Sequence, residues 1–344
     1  RSVVDLEKNR ITYTASEDPK TIELWSYDQD GLKLHSDGDG VIFANGSHSV
    51  LITQRSSMQH PATTTVGKGD DLWVIDSLAA APLVEPDVRF HQTGHLQSHT
   101  AVVLPTDDFE HPLPILLDPY GGPHAQRVMK SRNSYLLSQW FANQGFCVVI
   151  TDGPGTPGRG NGWERMIRGD LATHILQAQI EALQAVGELY SDQVDPSRVG
   201  IRGWSFGGYL AALAVIRRPD LFHAAVAGAP VTDWRLYDTH YTERYLGHPD
   251  LEPDNYKNTS LLEEAEKLQR PLMLIHGLAD DNVVAAHTLQ LSAALLAAGR
   301  PHEVLPLSNT THMTPQEEVA ENILLLQVDF LKRNLGTPPV SAEI

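Results

Sequence analysis

The sequence predicts an α/β fold with a doubly wound, mostly parallel sheet, preceded by a shorter all-β segment. Over the first 80 or so residues, short β-type runs recur about every ten residues and are separated by turn residues. From about residue 85 onward, apolar strands of the buried type alternate with amphipathic helical patterns, which is typical of a parallel sheet covered by helices. A chain of 344 residues is long enough for about two such domains.

The all-β segment contains five strand-like runs: ITYTAS, IELWSY, GVIFANG, SVLITQRS and DLWVID. Their spacing is typical of antiparallel sheet, either in a sandwich or in propeller blades. A propeller usually has about four to eight blades, and this segment is long enough for one or two at most. We therefore expect it to be the end of a larger structure. The following stretch, residues 77–90, is predicted to be a linker.

The α/β segment begins with an apolar run that ends in a Gly/Pro loop, and strands and helices then alternate to the end of the chain. The predicted strands are LPILL, FCVVITD, RVGIRG, AAVAGAP, PLMLIHG and EVLPL. The predicted helices are SYLLSQWFANQG, DLATHILQAQIEALQAVGELY, GYLAALAVIRRPD, VVAAHTLQLSAALLAAG and TPQEEVAENILLLQVDFLKRNLG. This alternation indicates one sheet with helices on both faces.

Charge excludes some classes of partner. The chain has 26 Lys and Arg against 43 Asp and Glu, a formal net charge of −17. Such a balance argues against a nucleic-acid-binding surface and against binding to anionic membranes. No apolar run approaches the roughly 18–20 residues needed to span a bilayer. The absence of an apolar signal core in the first residues, together with a single cysteine, favours the cytoplasm without deciding the compartment.

Metal chemistry is not expected. Cys147 is the single cysteine and lies in the apolar run FCVVI, which is typical of a small buried side chain. It cannot form an intramolecular disulfide or a Cys-based zinc site. His91, His95 and His99 could suggest metal ligands, but we expect them in a solvated loop. No metal or cofactor is therefore predicted.

The residues Gly203-Trp204-Ser205-Phe206-Gly207 fit the pattern G-x-S-x-G between a predicted strand and a predicted helix. This context is that of a nucleophile elbow, in which a sharp turn exposes the serine hydroxyl above the sheet. The flanking glycines allow a strained backbone and a close approach of strand and helix. The Phe206 N–H, at the start of the helix, is placed to stabilise a developing oxyanion.

A serine needs a base, and in α/β-hydrolases the chain order is Ser, then Asp or Glu, then His. Asp280 follows the strand PLMLIHG, with Asp281 as the adjacent alternative. His312 follows the strand EVLPL and precedes the last helix. Because catalytic groups of parallel sheets gather at the carboxyl ends of the strands, we predict a triad of Ser205, Asp280 and His312. His276 is expected to be structural.

The combination of DPYGGP, GWSFGGY, APVTDW, YTERYLG and HGLADDNV resembles the dipeptidyl peptidase IV branch of the prolyl oligopeptidase family of serine peptidases. The resemblance covers roughly residues 85 to 335. It implies an α/β-hydrolase catalytic domain at residues 86–344. It also implies that residues 1–85 are the terminal, incomplete part of a β-propeller.

The resemblance also implies roles for residues around the triad. Tyr120 would complete the oxyanion hole beside the Phe206 N–H, and Asn282 would bind the substrate carbonyl. The residues implied to line a proline-selective pocket are Val231, Trp234, Tyr237, Tyr241 and Val283. An aromatic and valine box suits a compact apolar ring, although these side chains taken alone would favour ordinary core packing.

The sequence departs from the family pattern in three ways. Phe206 stands where tyrosine is usual, and DGPG at residues 152–155 replaces DGRG, which puts the role of that arginine in doubt. The family's complete propeller, whose acidic residues bind the substrate's free amine, is also not visible. We therefore expect this chain to be a fragment, a processed chain or a shortened form that lacks a propeller portion. The family often dimerises through the hydrolase domain, which makes a homodimer an expectation.

The leading prediction is a serine exopeptidase that releases N-terminal Xaa-Pro, or less efficiently Xaa-Ala, dipeptides from peptide substrates. Its mechanism would proceed through an acyl-enzyme. The alternatives are an acylaminoacyl peptidase, an oligopeptidase or an esterase with the same triad. From a different class, a catalytically silent binding protein that keeps the fold is the remaining alternative. Loss of a triad residue would be its signature, and none is missing here.

Overall fold

The computed structural model describes residues 1–48, 50–68, 71–107, 109 and 112–336. These residues form two compact units. The first unit comprises Arg1–Pro86 and Val128–Trp140, and the second comprises Asp87–Arg127 and the chain from Phe141 onward. The domain division predicted at residue 85 stays a prediction, and residues 128–140 group with the first unit.

The first unit contains two four-stranded antiparallel sheets, in which each strand pairs with the next one along the chain. Its strands are β1 (Ser2–Glu7), β2 (Arg10–Ala15), β3 (Glu23–Asp28), β4 (Gly31–Leu34), β5 (Val41–Ser47), β6 (Val50–Ser56), β7 (Thr63–Lys68) and β8 (Asp71–Ile75). The orders are β1-β2-β3-β4 and β5-β6-β7-β8. Two such meanders are what a propeller segment consists of, so the predicted fold of this segment is confirmed.

The five predicted runs correspond to β2, β3, β5, β6 and β8. The sequence patterns missed β1, β4 and β7. Residues 63–68 read TTTVGK, which does not alternate regularly between apolar and polar side chains. Residues 31–34 read GLKL, which alternates but is only four residues long and is a weak signal. Strand β8 lies at the edge of its sheet, and all five of its residues are exposed.

The second unit contains one eight-stranded mixed sheet. Its strands are β9 (Val88–Thr93), β10 (Ser98–Val103), β11 (Leu113–Leu117), β12 (Cys147–Asp152), β13 (Val194–Trp204), β14 (Ala224–Gly228), β15 (Leu272–Gly277) and β16 (Glu303–Leu307). The strand order is β16-β15-β14-β13-β11-β12-β10-β9. Strands β11 to β16 are mutually parallel, whereas β9 and β10 form an antiparallel hairpin at one edge. The predicted doubly wound, mostly parallel sheet is confirmed.

The helices are α1 (Leu136–Ala142), α2 (Asn161–Arg165), α3 (Thr173–Leu189), α4 (Phe206–Arg217), α5 (Thr239–Leu246), α6 (Pro253–Lys257), α7 (Ala286–Ala297) and α8 (Glu317–Leu335). Strands β11, β12, β14 and β15 are buried along their whole length, because helices cover both faces of a parallel sheet. Helix α4 is buried at all but its last residue, which places the turn before it in the centre of the domain. No helix within the described ranges is long and apolar enough to cross a membrane.

The edge hairpin was not predicted. The linker predicted at residues 77–90 is too long at its end, because β9 begins inside that stretch at Val88. The hairpin combines buried polar residues with a short apolar run: β10 reads SHTAVV and is buried throughout. The hydroxyl groups of Thr93, Thr100 and Thr151 join β9, β10 and β12 through hydrogen bonds of 2.8 and 3.0 Å. Buried polar side chains that satisfy one another in this way leave only a short apolar run, which is a weak signal of a strand.

The three histidines considered as metal ligands lie on this hairpin. The expectation that all of them occupy a solvated loop is wrong, because His91 is on β9 and His99 is buried on β10. His95 lies in the turn between the two strands, where its Nδ1 is 2.7 Å from the Glu181 carboxylate. Within the described part of the chain, no group of three or more His, Cys, Asp or Glu residues is arranged to hold a metal ion.

Candidate active site

Ser205 occupies a strained turn between β13 and α4. Its backbone has φ of 59° and ψ of −117°, a left-handed conformation that non-glycine residues rarely adopt. The neighbouring glycines make the turn sterically feasible. A Cβ at Gly203 would lie 2.3 Å from the carbonyl carbon of Gly207, and a Cβ at Gly208 would lie 2.3 Å from the Gly228 carbonyl oxygen. This is the geometry of a nucleophile elbow.

Asp280 and His312 form a hydrogen-bonded pair. His312 Nδ1 is 2.8 Å from Asp280 Oδ2. The other carboxylate oxygen, Asp280 Oδ1, accepts hydrogen bonds from the backbone N–H groups of Asn282 at 3.0 Å and Val283 at 2.9 Å. Hydrogen bonds to both oxygens thus fix the orientation of the Asp280 carboxylate, which is buried. The adjacent alternative, Asp281, is exposed. The pairing favours Asp280 over Asp281 as the partner of His312.

The His312 loop is also tied to the elbow. Trp204, the residue before Ser205, donates its indole N–H to the carbonyl oxygen of His312 at 2.8 Å. The segment before His312 also packs directly against the end of β15 at Gly277. A side chain at that position would prevent this contact, because a Cβ there would lie 2.3 Å from the carbonyl oxygen of Thr310. Among the described residues, no hydrogen bond joins the Ser205 hydroxyl directly to His312. In unliganded enzymes such bonds are often long and tighten only when substrate binds.

Tyr120 and Phe206 supply the candidate oxyanion donors. Tyr120 lies in the loop after β11, and its ring centroid is 5.9 Å from that of Phe206. Burial, with smaller contributions from Tyr237 and Tyr245, raises the pKa of Tyr120 to about 12. The phenol therefore keeps its proton at neutral pH and can donate a hydrogen bond. Phe206 is the first residue of α4, where backbone N–H groups have no partner within the helix.

The pocket aromatics implied by the resemblance do contact one another. The rings of Trp234 and Tyr241 stack with centroids 6.0 Å apart and an interplanar angle of 11°. Tyr237 meets Tyr241 edge-on at 5.3 Å. The Tyr237 hydroxyl donates to Asn282 Oδ1 at 3.0 Å, which brings Asn282 to the same cluster.

Val231 and Val283 are buried, at 2% and 0% exposure, in the same apolar core as Trp234. These two valines can therefore form only the base of a pocket, while the tyrosines remain partly exposed.

Comparisons with known proteins show the family of this chain. A sequence model described as "Prolyl oligopeptidase family" matches residues 133–338. The chain belongs to the prolyl oligopeptidase family. Dipeptidyl peptidase 8 of Mus musculus is 35% identical over 300 residues, which cover 84% of this chain and 33% of that protein. A probable dipeptidyl-aminopeptidase B of Sclerotinia sclerotiorum is 31% identical over 319 residues, covering 87% of this chain and 34% of that protein.

A crystal structure of Porphyromonas gingivalis dipeptidyl peptidase 4 superposes with a TM-score of 0.86 at 28% sequence identity. The match covers 96% of this chain and 49% of that one. Within the prolyl oligopeptidase family, these relatives place the chain in the dipeptidyl peptidase IV branch. The chain spans about a third of the length of the curated relatives that it matches.

A buried charge network beside the site was not predicted. Asp118, at the end of β11, accepts hydrogen bonds from Arg202 at 2.7 Å and from Arg127 at 2.9 Å. Arg202 also donates to Gln327 on α8 at 3.0 Å. Burial pushes the pKa of Asp118 upward, but the two guanidinium groups outweigh that effect and the pKa is lowered. Asp118 lies two positions before Tyr120 and Arg202 lies three positions before Ser205, which was the available signal.

Two further histidines lie near the site, and of these the sequence did not single out His124. His124 has a φ of 73°, and its Nε2 is 2.7 Å from the Tyr245 hydroxyl. Its ring lies 5.4 Å from that of Tyr241, so it borders the aromatic cluster. His276, expected to be structural, is buried with its Nε2 2.7 Å from the Val283 carbonyl and 3.5 Å from Asp280 Oδ2. His276 therefore contacts both Asp280 and the backbone of the loop that follows it.

Proposed function

We propose that this chain contains the catalytic domain of a serine dipeptidyl peptidase, which releases N-terminal dipeptides with proline, or less efficiently alanine, in the second position. The observation that carries the proposal is the strained Ser205 at the elbow, in the same domain as the 2.8 Å pair of His312 and Asp280. Names of similar proteins support it, because several are dipeptidyl peptidases.

In the proposed reaction, Ser205 Oγ attacks the scissile carbonyl carbon while His312 Nε2 accepts the hydroxyl proton. Asp280 holds the other ring nitrogen, so it orients the imidazole and stabilises its protonated form. The C–N bond then breaks, the leaving amine takes the proton from His312, and an ester remains on Ser205. Water hydrolyses that ester with His312 again acting as base.

Charge develops on the carbonyl oxygen in both steps. The proposed donors to it are the Tyr120 hydroxyl and the Phe206 N–H, which come from different strand ends. A preorganised donor of this kind accounts for about 10²–10³ in kcat in serine proteases. The raised pKa of Tyr120 supports the assignment, since only a protonated phenol can donate.

The proposed specificity rests on the aromatic cluster of Trp234, Tyr237 and Tyr241. Flat rings that meet edge-on and face-on can enclose a compact apolar ring such as that of proline. Val231 and Val283 would close the base of the pocket. Asn282, fixed by Tyr237, would donate its amide N–H to the substrate carbonyl.

Release of dipeptides also needs a group that binds the substrate's free amine. We propose that acidic residues of a propeller portion beyond this sequence supply it, which agrees with the greater length of the curated relatives. Hydrolysis itself requires only the groups described above. The two parts of the proposal can therefore be tested separately. Chromogenic substrates test the hydrolysis. The restriction of cleavage to the second residue from the free amine is tested with a protein that includes the propeller portion.

The chemistry is tested with Ser205→Ala and with Ser197→Ala, an exposed control in the same domain. We expect Ser205→Ala to lower kcat on Gly-Pro-p-nitroanilide by at least about 10⁴-fold, and Ser197→Ala to leave it unchanged. A fluorophosphonate probe should label the parent chain and not Ser205→Ala. Retained turnover would refute the nucleophile assignment, and an unlabelled parent chain would indicate a silent binding protein.

The specificity is tested with a substrate panel. We expect Gly-Pro-p-nitroanilide to be hydrolysed faster than acetyl-Ala-p-nitroanilide or p-nitrophenyl butyrate. Preference for acetyl-Ala would instead indicate an acylaminoacyl peptidase or oligopeptidase, and hydrolysis of the ester alone would indicate an esterase. Each of these outcomes keeps the triad and replaces only the proposed substrate.

A further inference from the structure

A cavity of about 410 Å³ lies at the end of the second unit's sheet that is opposite the candidate active site. It is lined by residues 268–272, residues 300–303 and Phe330. These two segments lead into the first residues of β15 and β16, whereas the proposed triad follows the carboxyl ends of strands. The cavity is therefore separate from the active site.

Two arginines give the cavity its charge. Among the residues described, neither Arg270 nor Arg300 forms an ion pair with a carboxylate, although the chain carries a net charge of −17. Nearby Arg218, by contrast, is paired with Asp220 at 2.6 Å. The charge of Arg270 does contribute to lowering the pKa of the nearby Asp220 carboxyl, but without a direct ion pair. Two arginines without a direct ion pair among the described residues, in a chain rich in acids, mark this cavity as a place for a negative charge from outside.

The hydrogen bonds of these arginines leave donors unused. Arg270 donates through Nε to the carbonyl oxygen of Pro219 at 2.7 Å. Arg300 Nε is buried and has no hydrogen-bond partner within the described part of the chain. Because Nε is closed off from solvent, a ligand in the cavity would instead meet the terminal guanidinium nitrogens of Arg300, which can donate charge-assisted hydrogen bonds to an anion.

His302 and Glu303 also line the cavity, and each has a partner of its own. His302 has both ring nitrogens in hydrogen-bond range of acceptors or hydroxyls, with Nδ1 3.0 Å from the Arg300 carbonyl and Nε2 2.8 Å from Ser292 Oγ. The Glu303 carboxylate is 3.7 Å from an Arg333 nitrogen on α8. Arg333 is also hydrogen-bonded to Asp329 at 2.8 Å, so Glu303 keeps part of its negative charge, and the lining carries two arginines against this one carboxylate.

The walls of the cavity are apolar. Leu272 and Phe330 are each 1% exposed, and Leu268 is also buried. A volume of about 410 Å³ is within the range of small-molecule sites. A ligand that uses both features has an anionic head group and a short apolar body.

We propose that this cavity binds a small organic anion, with a carboxylate or phosphate head group held by Arg270 and Arg300 and an apolar part packed against Leu272 and Phe330. Guanidinium groups suit both head groups, because their planar N–H pairs match two oxygens of a carboxylate or a phosphate. The proposal does not depend on the peptidase activity.

The test is calorimetric titration of the full chain at constant ionic strength with sodium hexanoate, with inorganic phosphate and with neutral hexan-1-ol. We expect saturable one-to-one binding of at least one anion, and at least about tenfold weaker binding of the alcohol. Binding of hexanoate alone would identify a carboxylate head group, and binding of phosphate alone would identify a phosphate head group. Absence of binding by both anions, or equal binding of the alcohol, would overturn the proposal.

The site is located by paired variants. Arg270→Gln combined with Arg300→Gln should raise the Kd of the bound anion at least about tenfold. The control, Arg165→Gln combined with Arg168→Gln, removes the same charge from exposed positions and should keep the parent Kd. Arg300→Gln alone retains the Arg270 bond to Pro219 and should show the same direction if the double variant unfolds. Equal weakening in the control, or an unchanged Kd in both cavity variants, would overturn the proposal.

Discussion

The indole N–H of Trp204 donates a hydrogen bond to the backbone carbonyl of His312 across 2.8 Å. The residue that precedes the proposed nucleophile thus holds the loop that carries the proposed base. The ring lies flat against β14 because residue 228 is glycine, where a Cβ would be 2.0 Å from a Trp204 ring carbon. Trp204, in the elbow, therefore contacts both β14 and the His312 loop.

This contact predicts the effect of Trp204→Phe, which keeps an aromatic ring and removes the N–H. We expect kcat on Gly-Pro-p-nitroanilide to fall about tenfold, equivalent to about 1.4 kcal/mol, because His312 is less well positioned, with KM little changed. The matched control is Trp163→Phe, which loses a 3.2 Å bond to Thr156 Oγ1 away from the site. Equal losses in both variants would mean that Trp204 acts only through overall stability.

Tyr120→Phe tests the oxyanion donor. Removal of the hydroxyl should lower kcat by about 10²–10³ with a small change in KM, because the bond is stronger in the transition state. Since burial raises the pKa of Tyr120 to about 12, the parent rate should not fall through loss of this proton below about pH 11. Tyr190→Phe, which loses a 2.8 Å bond to His91, is the control and should retain activity. A Tyr120→Phe enzyme of parent kcat would exclude the assignment.

Buried and exposed ion pairs should differ strongly in their contribution to stability. Arg202→Leu removes one of the two guanidinium groups bonded to the buried carboxylate of Asp118, so we expect a loss of about 1.5–3 kcal/mol in the free energy of unfolding. Arg218→Leu breaks the exposed pair with Asp220, for which a loss of less than about 1 kcal/mol is expected. Urea unfolding measures the free energy of unfolding of both variants. Similar losses in the two would show that the buried Asp118 network contributes no more to stability than the exposed pair.

Acid should destabilise the second unit through His287. Burial, followed by the charge of His276, lowers the pKa of His287 to about 4, against an ordinary value of 6.5. Because the folded-state pKa is lower, the unfolded chain binds the proton first as the pH falls. The stability contributed by neutral His287 is therefore present above about pH 6.5 and is lost progressively toward about pH 4.

His287→Asn tests this expectation, since its amide oxygen can still accept the Thr232 N–H that His287 Nδ1 accepts at 3.1 Å. Between pH 7.5 and pH 5, the parent should lose about 2 kcal/mol more in free energy of unfolding than this variant. His174→Asn, at an exposed position on α3, should behave like the parent. A variant with the parent's pH dependence would assign acid sensitivity to other groups.

Local features of the active site could be predicted because short sequences determine them. The glycines around Ser205 are required by contacts within the elbow and with the next strand, so the G-x-S-x-G pattern was sufficient. The pairing of Asp280 with His312 followed from the rule that carboxyl ends of parallel strands share one edge. Their joint catalytic role with Ser205 stays a prediction.

Long-range polar contacts could not be predicted in this way. Nothing in the pattern around Trp204 indicates a hydrogen-bond acceptor 108 positions further along the chain. Arg202 and Asp118 are charged residues at the ends of apolar strands, where a solvated side chain is the ordinary expectation. The threonine hydroxyls that join β9, β10 and β12 hid a buried hairpin for the same reason. A sequence pattern shows which side chains are polar, but it does not show which residues they form hydrogen bonds with.

The edge strand β8 has a consequence for handling the chain. Its residues Asp71–Ile75 read DLWVI, and the apolar side chains of Leu72, Trp73, Val74 and Ile75 are 48–65% exposed. A flat, apolar edge strand can pair with the same strand of another molecule. We therefore expect concentrated solutions of this chain to aggregate by strand addition, and a lysine at Val74 to raise the concentration at which turbidity begins.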